Sequence, residues 1–236
     1  MNPVLMLTLN NFNLTRQAMD SIANQNIPTL PMIVDNGSTD GTQTWALSKV
    51  PRILFKDNHG VSHGWNAGLD FFFSVSRQGG RFEHVLVVNN DVILPPWFYR
   101  DLLSYDAPFV TGISVDNMEL IRTPREKKVV HLQPCPDFSA FLIRREVWEK
   151  VGQFDESMKF YAQDIDYHIR AVKLGIPLLN ADVPFYHERS STLRNAEPIQ
   201  RSAIEAQANM DRQRFAAKYG FQVGSVQHHK AVGFNG

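Results

Sequence analysis

Met32-Ile33-Val34-Asp35-Asn36-Gly37-Ser38-Thr39-Asp40-Gly41-Thr42 decides the fold. Three apolar residues stop at an acid, and the next six are all turn formers or helix caps. That pattern reads as a buried strand running through a short loop into a helix N-terminus. Working outward, it occurs twice more. Val4 to Leu9 is an apolar run that ends at Asn10-Asn11-Phe12-Asn13, and Val85 to Val88 ends at Asn89-Asn90-Asp91. A short strand is predicted over Ile53 to Phe55. Helices are predicted between these strands: Thr15 to Gln25, with Leu14, Ala18 and Ile22 on one side, Thr42 to Ser48, and Ser62 to Ser76. The last has Trp65, Leu69, Phe72 and Phe73 at helical spacing. Alternating strands and helices predict an α/β fold: a mostly parallel, Rossmann-type sheet with helices on both faces. Ligands of such sheets bind outside the carboxyl ends of the strands, so the three polar clusters mark one working rim.

The second half changes character. Residues 105–135 show weak periodicity. A strand is predicted over Phe138 to Ile143, a short helix over Arg145 to Val151, and an amphipathic helix over Gln163 to Leu174 with Ile165, Ile169 and Val172 inward. Pro198 opens a long helix, for which Ile199, Ala203, Ala206 and Met210 form the expected inward stripe. Glycines recur beyond Gly220, so residues 221–236 are expected to be a loose tail. The expected organisation is one domain over 1–220. Residues 1–104 form the half that carries the rim, and residues 105–220 the second half.

Composition narrows the function. The 236 residues carry 24 Lys+Arg against 24 Asp+Glu, so no global field draws the chain to nucleic acid. From Arg189 onward the balance tips basic: Arg189, Arg194, Arg201, Arg212, Arg214, Lys218 and Lys230 face Glu197, Glu205 and Asp211. That excess reads either as a solvated face or as a contact to substrate. The single cysteine, Cys135, excludes an internal disulfide and a cysteine zinc cage. No apolar run is long enough to span a bilayer, and the first residues lack a signal-peptide pattern. A cytoplasmic protein is expected, free or peripheral to a membrane. G-x-G-x-x-G and P-loop motifs are both missing.

Each polar cluster has a plain reading and a chemical one. Asp35 to Gly41 could simply cap a helix, or its acids could grip a base or ribose edge. Asp91 could be a turn residue. One carboxylate at a strand end can also hold a hard divalent cation when a diphosphate supplies further oxygens. Asp164 and Asp166 in a first helical turn complement the helix dipole. With Asp155 and Glu156 nearby, though, four acids fall within twelve residues, a strong self-repulsion unless a cation or a proton is handled there. His187 is either hydrogen-bonded filler or a nitrogen ligand.

In order along residues 4–190, these segments resemble the family 2 glycosyltransferases, which have the GT-A fold. Asp35-Asn36-Gly37-Ser38-Thr39-Asp40-Gly41-Thr42 is similar to their nucleotide-binding turn. Asn58-His59-Gly60 through Asn66-Ala67-Gly68-Leu69 is similar to their N-x-G…N-x-G-L segment. Asn89-Asn90-Asp91 stands at the metal-binding D-x-D with one acid kept. Gly152-Gln153-Phe154-Asp155-Glu156, then Tyr161-Ala162-Gln163-Asp164-Ile165-Asp166 and Arg170, resembles the stretch carrying the catalytic base, with Gln163 where the family has glutamate. The resemblance implies inverting transfer of a sugar from a nucleotide diphosphate sugar to an acceptor hydroxyl, with Mn²⁺ or Mg²⁺. It implies donor binding by Thr8, Asn10, Asn11, Asp35, Asn36, Gly37, Asn58, Gly60, Asn66, Asn89 and Asn90. Metal binding falls to Asp91 and His187, and general-base catalysis to Asp164. Losing the glutamate charge beside Asp164 is expected to lower the pKa of the base. The acceptor, a glycan, a lipid-linked glycan or another hydroxyl compound, is expected to meet residues 105–135 and 189–236. Two rivals stand beside this: a nucleotide-sugar-binding or scaffolding domain without chemistry, supported by Gln163, and a sugar-phosphate nucleotidyltransferase. The latter would want a basic, glycine-rich loop where Asn10-Asn11-Phe12-Asn13 stands.

Overall fold

A computed structural model of the chain describes residues 1–74, 76, 77, 80–124, 129, 130, 133–188 and 198–234. Its centre is a nine-stranded mixed sheet. Strands β1 (Asn2–Thr8), β2 (Thr29–Asp35) and β3 (Arg52–Leu54) run parallel, and β6 (His84–Asn89) runs parallel on the other side of β1. A small ribbon of β4 (Ser76–Arg77) and β5 (Gly80–Arg81) lies off the sheet. Beyond β6 come β10 (Ala140–Arg144), β8 (Phe109–Val115), β11 (Leu179–His187) and β7 (Val92–Ile93), with β9 (Val129–Val130) paired to β11. β10 is antiparallel to both its neighbours, which makes the sheet mixed where a mostly parallel one was expected.

The register sets the rim. Thr8 pairs with Asp35, and Leu7 pairs with Asn89. The three polar strand ends therefore lie side by side, as period-two strands in a common register require.

Alternation along β1 divides the core. Val4 and Met6 face α1 (Phe12–Ala23) and α4 (Phe98–Leu103), while Leu5 and Leu7 face α3 (Val61–Ser74), α5 (Arg145–Val151) and α6 (Gln163–Lys173). The short α2 (Thr42–Ala46) adds Ala46 to the first face. Helix α3 approaches β1 closely because Gly64 and Gly68, one turn apart, present no Cβ. An added methyl would overlap Leu7 Cδ1 at Gly64 and Leu5 Cδ1 at Gly68.

A third cluster corrects the expected loose tail. Helix α7 (Pro198–Tyr219) and helix α8 (Val226–Ala231) pack on α6, and Phe215, Val232, Ile165, Ile169 and Met158 are all buried there. Ser225 caps α8 by accepting from the His228 amide. Among the described residues beyond 220, Gly224 and Gly233 are turn glycines beside packed segments, with φ of 78° and 75°. The stripe expected on α7 also differs. Ile199 is 85% exposed and Met210 43% exposed, while Asp211 and Phe215 are fully buried. An acid occupies the inward face, so the apolar periodicity pointed to the wrong side. Arg189 and Arg194 lie outside the described residues. No helix among the described residues is long and apolar enough to cross a membrane.

Candidate active site

At the rim, the loops after β1 and β2 are laced together. The Asn10 amide donates to Ser38 Oγ at 2.7 Å, the Thr39 amide to Asn10 Oδ1 at 2.8 Å, and the Phe12 amide to Asp40 Oδ2 at 2.8 Å. Asn10 and Asn11 adopt φ of 54° and 57°, left-handed values that asparagine tolerates better than most residues. From the third strand end, Asn90 Nδ2 reaches Thr8 Oγ1, Asn10 O and Thr15 Oγ1 at 2.9–3.0 Å. Asp35 is wholly buried. Its Oδ1 accepts from the Gly37 and Ser38 amides and from Gln43 Nε2 at 2.7–3.0 Å. Its Oδ2 has no partner among the described residues.

The N-x-G segment holds the next layer. Asn36 Nδ2 donates to Asn58 Oδ1 and to Gly60 O, and Asn36 Oδ1 accepts from the His59 amide. Gly37 has φ 91°, and a Cβ there would sit 2.8 Å from the Asp57 carbonyl carbon. Conformation and space both demand glycine at that position. Asn66 is buried and faces elsewhere: its amide pairs with the Phe154 backbone at 2.8 and 3.0 Å and with Glu156 Oε1 at 2.9 Å. Most of the polar residues expected at the donor site thus fix loops to one another, and Asp35 Oδ2 is left with open capacity.

Asp91 and His187 meet. His187 Nε2 lies 3.5 Å from Asp91 Oδ1 and 3.2 Å from Ser139 Oγ, and its Nδ1 lies 3.0 Å from Asp137 Oδ2. Burial alone would lower the imidazole pKa. The hydrogen bonds and charges of Asp137 and Asp91 outweigh it and raise the ring to about 9. For Asp137, burial is likewise outweighed, by His187, Ser139 and Ser114, so its carboxyl sits well below the usual range. Sequence reasoning missed Asp137 and Ser139. The one signal was a polar Asp-x-Ser interrupting an apolar run.

A facing carboxylate and imidazole form an oxygen–nitrogen donor pair suited to Mn²⁺ or Mg²⁺. The described residues hold no group of three or more His, Cys, Asp or Glu arranged to bind a metal ion. The pair therefore fits an ion that takes its remaining ligands from a diphosphate and water. To bind it, His187 must release its proton.

A cavity of about 590 Å³ opens beside this pair. Asn89, Asp137 and Ser139 line one side, Tyr161 and Asp164 another, and Ser114, Cys135 and Val223 close it. The last three belong to the segments expected at the acceptor.

Of the four clustered acids, two meet basic side chains, one meets an imidazole and one stands apart. Asp155 bonds Lys218 at 2.7 Å. Glu156 lies 3.0 Å from His63 Nδ1. Asp166, fully buried, takes Arg170 Nε, Lys218 Nζ and Tyr219 Oη at 2.6–2.8 Å. Asp164 has no basic partner among the described residues. Its Oδ1 accepts the Ile165 amide, at 2.9 Å. Burial raises its carboxyl from 3.8 to about 6, against that hydrogen bond and with help from the Asp137 charge. The expected lowering is relative to a glutamate at position 163; with Gln163 in place, burial sets the net direction upward. Gln163 is buried at the head of α6, and its Oε1 has no partner among the described residues.

No family model matches the chain, and no curated protein sequence matches it. Solved structures do. A mannosyltransferase from Pyrobaculum calidifontis, in complex with GDP-Man and Mn²⁺, superposes at a TM-score of 0.60 with 16% identity, over 98% of this chain and 78% of its own. Glucosyl-3-phosphoglycerate synthase from Mycobacterium tuberculosis, in complex with Mn²⁺, UDP and phosphoglyceric acid, gives 0.61 and 17% over 92% and 78%. S. aureus TarS 1–349 gives 0.55 and 14% over 98% and 77%. At these identities the likeness concerns the fold, and the fold of this chain is that of the GT-A glycosyltransferases.

Proposed function

We propose that the chain is an inverting family 2 glycosyltransferase that moves a sugar from a nucleotide diphosphate sugar to an acceptor hydroxyl. The observation that carries this is Asp164: a partly buried carboxylate, without a cation, raised to about 6, on the wall of a cavity beside Asp91 and His187. A general base works best with a pKa near the operating pH, and a positioned one contributes roughly 10²–10⁴-fold.

In this reading Asp35 meets the nucleobase. Its buried, unpartnered Oδ2 needs a donor, and a base N–H supplies one. The laced loops around Asn10 and Asn36 keep that oxygen in place. Asp91 and His187 would hold Mn²⁺ or Mg²⁺. What a bound ion supplies there is neutralisation of charge on the departing diphosphate. The acceptor oxygen attacks the anomeric carbon as the bond to the diphosphate breaks, and Asp164 takes the hydroxyl proton. One direct displacement inverts the anomeric centre. Asp166 is unsuited to the base role because Arg170, Lys218 and Tyr219 already occupy it.

The test is a thermal-shift screen of nucleotide sugars with and without Mn²⁺, on the parent and on Asp91→Ala. A ligand at 100 times its Kd stabilises by about 2.7 kcal/mol. The expected result is a metal-dependent rise in Tm that Asp91→Ala abolishes. If no nucleotide sugar shifts the parent, or if Mn²⁺ enhances both proteins equally, the reading is wrong. Release of nucleoside diphosphate from the selected donor then separates a transferase from a domain that only binds.

A further inference from the structure

We propose that Asp211, on α7 and outside every motif that marks the rim, is a positioning residue that sets the backbone entry to Asp164. The inference rests on the reading of Asp164 as the base.

Asp211 is fully buried, on a helix whose neighbouring turns are mostly exposed. Its Oδ2 accepts from two consecutive backbone amides, Phe160 at 2.8 Å and Tyr161 at 3.2 Å. Its Oδ1 is held by Gln207 Nε2 at 2.7 Å and by Arg214 Nη1 at 3.4 Å. A buried carboxylate is costly unless hydrogen bonds satisfy it, and four do here.

The gripped amides stand at a critical place. Ala162 follows at once, with φ 66°, a left-handed conformation that a residue with a Cβ rarely adopts. It is the N-cap of α6, and its carbonyl accepts the Asp166 amide, so the path of Ala162 sets where the first turn of α6 begins. Asp164 lies in that turn. Two fixed amides immediately before a strained residue hold the strain in place, and Asp211 is what fixes them. The other side of the loop is already tied down, since Ser62 Oγ donates to Met158 O and the Val61 amide to Lys159 O. Arg214 Nη1 adds a bond to Ser157 O, and Lys218 bridges Asp155 and Asp166. Asp211 differs from these in touching the backbone next to the hinge.

The experiment compares Asp211→Ala and Asp211→Asn with the parent, using the full chain. Asparagine keeps an oxygen that can accept from the amides, so it is the conservative rescue. Hydrogen exchange over residues 158–166 reads the loop directly. Exchange in Asp211→Ala should quicken about ten-fold or more, the worth of a charge-assisted hydrogen bond, and Asp211→Asn should recover most of the protection. Cys135, the chain's single cysteine, reports on Asp164, because burial and the Asp164 charge both raise its thiol. In Asp211→Ala, the pH profile of its alkylation by iodoacetamide should move down toward that of Asp164→Asn. The double variant should add nothing further. Affinity for UDP with Mn²⁺ should stay at the parent value, because the rim is untouched.

Unchanged exchange over 158–166 in Asp211→Ala overturns the proposal. So does a general loss of protection over α7 and α8 with the loop no worse than its surroundings, which is what mere support of the helix gives. Quickened loop exchange, together with full transfer activity in Asp164→Asn, leaves the clamp standing and removes the base assignment instead.

Discussion

Asp164→Asn should make the protein more stable at neutral pH while removing its chemistry. The folded carboxyl has a pKa of about 6 against an ordinary 3.8. The folded state therefore holds this proton more tightly than the unfolded chain does, and ionising the group costs stability. The cost is complete above about pH 6, shrinks as pH falls, and is gone below 3.8. A shift of about two units is worth at most about 3 kcal/mol, and the open cavity beside the group screens part of it, so about 1–3 kcal/mol is expected. Asparagine keeps the shape without the charge and recovers that amount. For a chain of this size the gain corresponds to a rise in Tm of about 2–10 °C. Thermal melts of parent and variant from pH 4 to 8 give the test. The difference should be largest at pH 7–8 and vanish near pH 4. A variant less stable than the parent at pH 7.5, or an offset that does not change with pH, would refute the reasoning. Transfer by the same variant should fall about 10²–10⁴-fold.

Three further outcomes follow from the packing. Asp166→Asn should lose about 1–3 kcal/mol in urea unfolding, since Arg170 and Lys218, themselves partly exposed, lose their buried counter-charge. Gly68→Ala should cost about 1–3 kcal/mol in the same assay, because the new methyl meets the fully buried Leu5; an unchanged denaturation midpoint would mean that α3 can move off β1. Deleting residues 221–236 should lower Tm and speed hydrogen exchange in α6, since Phe215 and Ile169 lose the cover of Phe221, Val232 and Phe234; a tail that can be removed without effect would show α8 to be a passenger.

The sheet half was readable because its signals are local. Val4 to Leu9, Met32 to Val34 and Val85 to Val88 each combine an apolar run with an immediate polar stop, and α3 shows its buried face at plain helical spacing. Its rim was readable for the same reason: Asn10, Asp35 and Asn89 sit where the strands end. What stayed hidden depends on partners distant in sequence. Asp137 becomes part of the rim only because β10 and β11 bring it to His187, fifty residues away. Asp211 reads as one acid among basic residues until the fold brings the Phe160 and Tyr161 amides to it. Gly224, Gly233 and Gly236 suggested looseness because glycine composition does not distinguish a mobile tail from tight turns beside packed helices. The net upward shift of Asp164 stayed hidden because it depends on depth of burial, which the sequence does not show.

The loop before α6 is closed from both directions along the chain. Phe154 pairs with Asn66, 88 residues earlier, and Asp155 with Lys218, 63 residues later. During synthesis at about 5–20 residues per second, Lys218 is added about 3–13 s after Asp155. Through that interval the parallel strands and α3 can pair and pack, while the loop before α6 still lacks its later anchor. The parallel strands of the growing polypeptide can thus form before the loop leading to Asp164 is anchored from both sides, and the last turns of α7 decide when that anchoring is complete.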